Sequence, residues 1–252
     1  MNKVKARKEI PEIGALRLVD ELRERHSSSP VVKQFVNFVF FRVNPDWRKL
    51  DSETKRLAKD EFRSVYESYS QDLMLFSYSL VGFDSKADLM FWRIGTSMDM
   101  IQEMTAKLFQ TRLGSFFESA DNYLAVTKER MFTSGEIEDR QHINAGEKKY
   151  HFVYPCTKEK AWFDKTAAER DALTEENFMV GRRFENIKIH LTHAFGFSAQ
   201  EYIISFETDE PRDFLALAEE LRETPASKFS LRGTPIYTCR QRPLMECLDA
   251  LG

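Results

Sequence analysis

From Lys33 onward, apolar residues alternate along an extended chain. Val36, Phe38 and Phe40 fall on one side, and Phe35, Asn37, Val39 and Phe41 on the other, which predicts a strand covered on both faces. After the turn at Asn44-Pro45 the period changes. Ala58, Phe62, Val65, Tyr66 and Tyr69 recur at helical spacing within the charged run 51–69. A strand pair over 73–81 and 87–94 follows, turning through Gly82-Phe83-Asp84, then a helix over 97–110 and an extended stretch over 122–131. The order then returns: a strand over 150–156, a helix over 160–183, hairpin strands over 187–195 and 202–207 around Gly196-Phe197-Ser198, a helix over 212–223 behind Pro211, and a last strand over 235–240.

The spacings point to duplication. Trp47 precedes the Glu61-Phe62 pair by 14 residues, and Trp162 precedes Glu176-Asn177 by 14. Trp47 precedes Gly82-Phe83 by 35, and Trp162 precedes Gly196-Phe197 by 34. Each half reads β-α-β-β-α-β, a ferredoxin-like unit, so the expected class is α+β with two tandem units packed face to face or joined edge to edge into a barrel. The expected divisions are an N-terminal arm over 1–32 with a helix at 15–24, a first half over 33–131, a polar linker over 132–147 and a second half over 148–252.

Composition narrows the function classes. Among 252 residues, 37 Lys and Arg against 40 Asp and Glu leave a net charge of −3, which offers no basic field for nucleic acid. Hydrophobic residues at 42% and aromatics at 13% are those of a packed globule, and no apolar run is long enough for a membrane helix. Met1 to Glu9 has no apolar core, so no secretory signal is read there. Cys156, Cys239 and Cys247 form no CxxC pair, which argues against a zinc ribbon or a thioredoxin-type centre and for a cytoplasmic protein with reduced thiols.

The second half carries the distinctive residues. Tyr154-Pro155-Cys156-Thr157-Lys158 closes a strand and Trp162-Phe163 opens a helix that continues through Glu176-Asn177-Phe178-Met179-Val180-Gly181-Arg182. Then come His193-Ala194-Phe195-Gly196-Phe197, the return strand Glu201 to Phe206 with Glu207-Thr208-Asp209, and Leu221-Arg222-Glu223-Thr224-Pro225-Ala226-Ser227. In the first half, Ser77-Tyr78-Ser79-Leu80-Val81-Gly82, Ala87-Asp88 and Trp92 fit the same pattern. Over about 33–240 the chain resembles the chlorite dismutase family, particularly its coproheme decarboxylase branch.

The resemblance implies a dimeric α+β barrel, a homo-oligomer with a pentamer favoured, and an iron porphyrin, heme or coproheme, in the second half. A porphyrin is a flat apolar disc with anionic propionates, so it needs an apolar slot and cations or hydroxyls at the rim. By resemblance Lys158, Arg222 and Ser227 occupy propionate-contacting positions, Trp162 forms part of the wall, and Tyr154 is the tyrosine beside the reacting propionate. From the residues alone, Tyr154 and Trp162 read as core or turn aromatics, Lys158 as a solvated charge and Ser227 as a cap.

Two positions depart from the family. Where heme-binding members carry the proximal His, this chain has Asn177, whose neutral amide oxygen is a weak donor to iron. The distal position, counted back from Gly196, is Ile189, which cannot stabilise an oxyanion and argues against chlorite dismutation. Counting forward from Gly181-Arg182 puts His190 there instead. Strand alternation sets Ile187, Ile189, Leu191 and His193 on one side and Lys188, His190 and Thr192 on the other, with His190 expected to face a helix or a neighbouring subunit. His190 and His193 diverge, which is poor spacing for one metal ion, and Cys156 reads more readily as a buried thiol than a reactive one. The expected function is iron-porphyrin binding, with peroxide-dependent coproheme decarboxylation at Tyr154. The alternatives are a non-catalytic porphyrin binder or carrier, and a cofactor-free oligomeric scaffold.

Overall fold

In the computed structural model, residues 33–127, 143, 145–146, 148–231 and 235–252 are described. The first half runs β1 (Phe35–Val43), α1 (Ser52–Glu67), β2 (Met74–Ser79), β3 (Leu89–Gly95), α2 (Met98–Gln110) and β4 (Phe117–Val126). The second runs β5 (Tyr150–Cys156), α3 (Lys160–Phe163), α4 (Ala167–Gly181), β6 (Lys188–His193), β7 (Tyr202–Thr208), α5 (Pro211–Glu223) and β8 (Tyr237–Gln241), followed by α6 (Leu244–Asp249). The repeated order stands. The arm over 1–32 and most of the expected linker lie outside the described residues.

Local chemistry sets the helix starts. Asp51 and Ser97 accept hydrogen bonds from the backbone N–H of Thr54 and Met100 at the heads of α1 and α2. The helix expected over 160–183 is two helices, because Thr166 and Glu169 form a reciprocal capping box that starts α4 afresh. Duplication also shows in the hairpins, where Gly82 at φ +83° and Gly196 at φ +88° take the left-handed conformation that favours glycine. Trp47 and Trp162 are both buried in the short helical turn after the first strand of their half.

The strands close into one antiparallel barrel in the order β1-β3-β2-β8-β5-β7-β6-β4. Each half contributes four adjacent strands, so the units join edge to edge, at β2 with β8 and at β4 with β6. The two faces read from β1 are both buried. Val36, Phe38 and Phe40 point into the barrel with Tyr78, Trp92, Val153, Ile203, Tyr237 and Cys239, whereas Val39, Phe41 and Val43 point outward beneath α1 and α2. Ile143 and Ala145, in the segment expected to be a plain linker, also pack on the barrel interior. There the Gly146 N–H donates to Glu207 Oε1 (2.9 Å), and Gln241 Nε2 donates to the Gly146 carbonyl (2.9 Å).

The interior contains polar groups as well. His190 Nε2 lies 2.9 Å from Glu207 Oε2, and the Glu207 side chain is fully buried. His190 thus faces the inside of the barrel, not a helix or a neighbouring subunit as expected, because strand closure makes the second side of β6 an interior one. His151 sits among Trp92 (4.4 Å between ring centres), Tyr78 (5.1 Å) and Phe38 (6.0 Å) with neither ring nitrogen partnered. Burial, reinforced by His190, holds its pKa well below 6.5.

A pH dependence follows from that shift. Below about pH 6.5 the unfolded chain takes up a proton that folded His151 refuses, so stability is intact above this pH and falls beneath it, by about 1.4 kcal/mol per pH unit. Replacing His151 with Phe, which suits its aromatic surroundings, removes this component. Urea unfolding of both proteins at pH 7.5 and 5.5 checks it: equal losses in the two would contradict the assignment.

Candidate functional site

The outer face of the second half has two rows of side chains set by strand register. Phe152 on β5 lies opposite Phe206 on β7, which lies opposite Ile189 on β6; one step along, Tyr154, Ile204 and Leu191 align in the same way. The α5 helix covers part of this surface, with Phe214 stacked on Phe152 at 3.8 Å and 10°. The α4 helix meets the sheet at its C-terminal end, where a Cβ on Gly181 would collide with Ile189 Cδ1. Asn177 lies four residues earlier on α4 and so shares the sheet-facing side with Gly181. Its Oδ1 is shut off from solvent and has no hydrogen-bond partner.

The two halves fill this space differently. In the first half, α1 buries Ala58, Phe62 and Tyr66 in the outer core and Lys59 beside Asp249 of α6, whereas α4 buries only Gly181. Among the described residues the outer core over the first-half sheet contains nineteen buried hydrophobic residues, three of them (Cys247, Leu248 and Leu251) from the C-terminal segment that includes α6, and that over the second-half sheet five. A helix whose side chains stop short of full burial packs a Phe- and Ile-lined sheet less completely than α1 packs its own.

The polar groups gather at the edge of that face. Tyr154 is half-buried, edge-on to Phe206 and Phe214 at 5.7 and 5.9 Å. Burial raises the pKa of its phenol, and the nearby Arg222 charge opposes the rise. Lys158 Nζ donates to Ser230 Oγ (2.9 Å) and stands 4.6 Å over the Trp162 ring. Burial lowers the Lys158 pKa, and Cys156 and Glu201 act against that. Neither Lys158 nor Arg222 forms an ion pair with another described residue, and Lys158 Nζ also lies 3.5 Å from the Ala226 carbonyl.

Some expected residues take other places. The Ser227 hydroxyl lies 2.6 Å from the Arg222 carbonyl and 2.7 Å from that of Thr224 and shares its one hydrogen between them, so it caps the end of α5. Trp162 packs on Phe229 and under Lys158, beside the rim and apart from the Phe152–Phe206 face. Cys156 is held as a thiol, its pKa raised by burial. Ile189, placed beneath Gly181, is on the outer face, and His190 is therefore on the opposite side of the strand. His193 shares the outer side with Ile189 but lies at the hairpin end, 5.3 Å from the Tyr202 ring. No cluster of three or more His, Cys, Asp or Glu able to hold a metal ion occurs among the described residues.

The family model for chlorite dismutase matches residues 55–242, well over half of the chain. The chain belongs to the chlorite dismutase family. Relatives include a chlorite dismutase of Ideonella dechloratans, 23% identical over 91% of this chain and 83% of that protein. A coproheme decarboxylase of Mycolicibacterium smegmatis is 25% identical over 64% of this chain and 70% of that protein. Among solved structures, the chlorite dismutase of Candidatus Nitrospira defluvii in complex with imidazole superposes with a TM-score of 0.78 at 24% identity, covering 91% of this chain and 98% of that one. A heme-binding protein of Thermus thermophilus gives 0.77 at 18% identity, covering 87% and 95%. At these identities the structural likeness shows the barrel fold alone.

A porphyrin ring suits the residues present, since the face is apolar and Lys158 and Arg222 stand at its edge. On α4 the position that faces the sheet offers a heme iron no strong axial ligand. The side chain facing the sheet from α4 is the Asn177 amide, while His151 and His190 point into the barrel. An iron porphyrin takes its axial bond from imidazole, thiolate, thioether or phenolate, and a neutral amide oxygen is a poor substitute.

Proposed function

We propose that this chlorite dismutase family chain binds a propionate-bearing porphyrin on the outer face of its second half. The observation that carries the reading is the contrast between α1, which closes over its sheet, and α4, which buries only Gly181 and leaves the Asn177 oxygen unpartnered. Lys158 and Arg222 meet the propionates, Phe152, Phe206 and Ile189 face the ring, and Trp162 backs the Lys158 end. The family resemblance favours coproheme or heme as the physiological ligand and a homo-oligomeric, cytoplasmic protein. No helix among the described residues is long and apolar enough to cross a membrane.

Titration of the purified protein with coproporphyrin, coproheme and heme tests the reading. It predicts saturation at one ligand per chain for at least one of them, and indifference to all three would overturn it.

Decarboxylation of a bound propionate is the second reading, favoured by a half-buried Tyr154 phenol within the field of the Arg222 charge. A phenol on an oxidisable ring can hold or pass a proton and an electron. If this reading is right, coproheme-loaded protein releases carbon dioxide on addition of peroxide, and Tyr154→Phe stops the release while leaving coproheme affinity unchanged. Equal release from both proteins would remove Tyr154 from the chemistry.

A further inference from the structure

We infer that the second-half face takes a metal-free tetrapyrrole in preference to its iron complex, with Asn177 deciding between them. This rests on the porphyrin reading above and sharpens it to a ligand class. Asn177 shares the sheet-facing side of α4 with Gly181, and its Oδ1 is enclosed without a donor. Ile189, Phe206 and Phe152 make the outer face of the sheet apolar, and no described donor reaches the amide oxygen.

A buried acceptor left without a donor is costly, and buried polar groups are almost always satisfied in folded proteins. The missing donor arrives with the ligand. In a flat apolar molecule that fits between helix and sheet, such a donor must lie near the middle of the ring and not at its charged rim.

A metal-free tetrapyrrole has this arrangement. Its inner nitrogens carry hydrogens, and tilting of the pyrrole rings turns those N–H bonds toward one face, where an amide oxygen can accept them. Inserting a metal replaces the inner hydrogens and removes the donors. An iron ion in the ring would further need a strong axial ligand, which the amide does not provide. Asn177 is thus suited to the metal-free ring and ill suited to the metallated one, with Lys158 and Arg222 holding the carboxylates of either.

The experiment compares three forms of one ring: metal-free coproporphyrin, its palladium complex, whose square-planar metal takes no axial ligand, and its iron complex. Each is titrated into wild-type protein and into Asn177→Leu and Asn177→His variants. Fluorescence polarisation follows the first ligand and absorbance the other two. The wild type is expected to bind the metal-free ring about tenfold more tightly than either metal complex. In Asn177→Leu the metal-free affinity falls about tenfold and the metal complexes are unaffected, a loss of about 1.4 kcal/mol confined to one ligand. Asn177→His reverses the order in favour of iron.

Tighter binding of the iron complex by the wild type, or an equal loss of all three ligands in Asn177→Leu, would overturn the inference while leaving porphyrin binding intact. The wild-type ranking decides the matter even if a variant folds poorly. Failure of all three rings to bind the wild type would instead remove the porphyrin reading, and this inference with it.

Discussion

Replacing Lys158 and Arg222 together with methionine lowers the affinity for coproporphyrin about a hundredfold, with most of the loss from Lys158. A hydrogen bond to a charged group contributes about 1.5–3 kcal/mol, and each 1.4 kcal/mol is a factor of ten in affinity. Lys158 is half-buried beside Trp162, so little of its interaction is screened, and Lys158→Met alone accounts for a tenfold loss or more. Arg222 is exposed at the end of α5 and is worth only a few-fold at physiological salt. Titration at low and high ionic strength separates the two, because the Arg222 contribution shrinks with salt and the Lys158 contribution persists. Unchanged affinity in Lys158→Met would place the propionates elsewhere.

Glu207→Leu destabilises the protein by about 2–5 kcal/mol, since each buried polar group left without its partner costs about 1–3 kcal/mol. The Glu207 carboxylate joins three segments: one oxygen meets His190 on β6, and the other accepts the backbone N–H of Gly146. Leucine at 207 leaves an imidazole and an amide N–H without partners inside an apolar barrel. In total stabilities of about 5–15 kcal/mol that is a large share. Changing His190 to leucine in the same chain recovers much of the loss, since a pair of apolar side chains leaves only the Gly146 amide unsatisfied. Urea denaturation of the single and double variants measures both effects. A double variant no more stable than Glu207→Leu would show that the two side chains act independently.

How far these features could be read in the sequence depended on whether local pattern or barrel closure decides them. Strand β5 falls at 150–156 as expected, since its alternation is unbroken. Strand β4 begins at Phe117, five residues before the expected stretch at 122, because a bulge breaks its pairing with β1: Phe40 lies opposite Asp121 and Phe41 opposite Ser119. An extra residue there shifts the two-residue period, which hides the start of the strand. The interruption before α4 was legible in Thr166 and Glu169, a three-residue separation typical of a capping box, although the continuous helical pattern concealed it.

The site divides in the same way. Alternation correctly separated His190 from Ile189, yet what each side of β6 faces is settled only when β6 joins β7 and β4 in the closed barrel. The Arg222 charge acts on the Tyr154 phenol, and the Ser227 hydroxyl is taken up by backbone carbonyls five and three residues earlier, relations that the sequence alone does not display. Nor does a sequence show that α4 buries only Gly181 fully, because burial is a relation between chain segments that pack together only in the fold. The unpartnered Asn177 oxygen is visible for the same reason only in three dimensions.

Hydrogen exchange with and without saturating coproporphyrin tests the central claim most directly, because it reports where the ligand sits as well as whether it binds. The account predicts added protection in α4, α5 and the Pro225–Phe229 turn, with α1 and α2, their counterparts in the first half, unchanged. Protection centred on α1 and α2, or none anywhere at saturation, would contradict it.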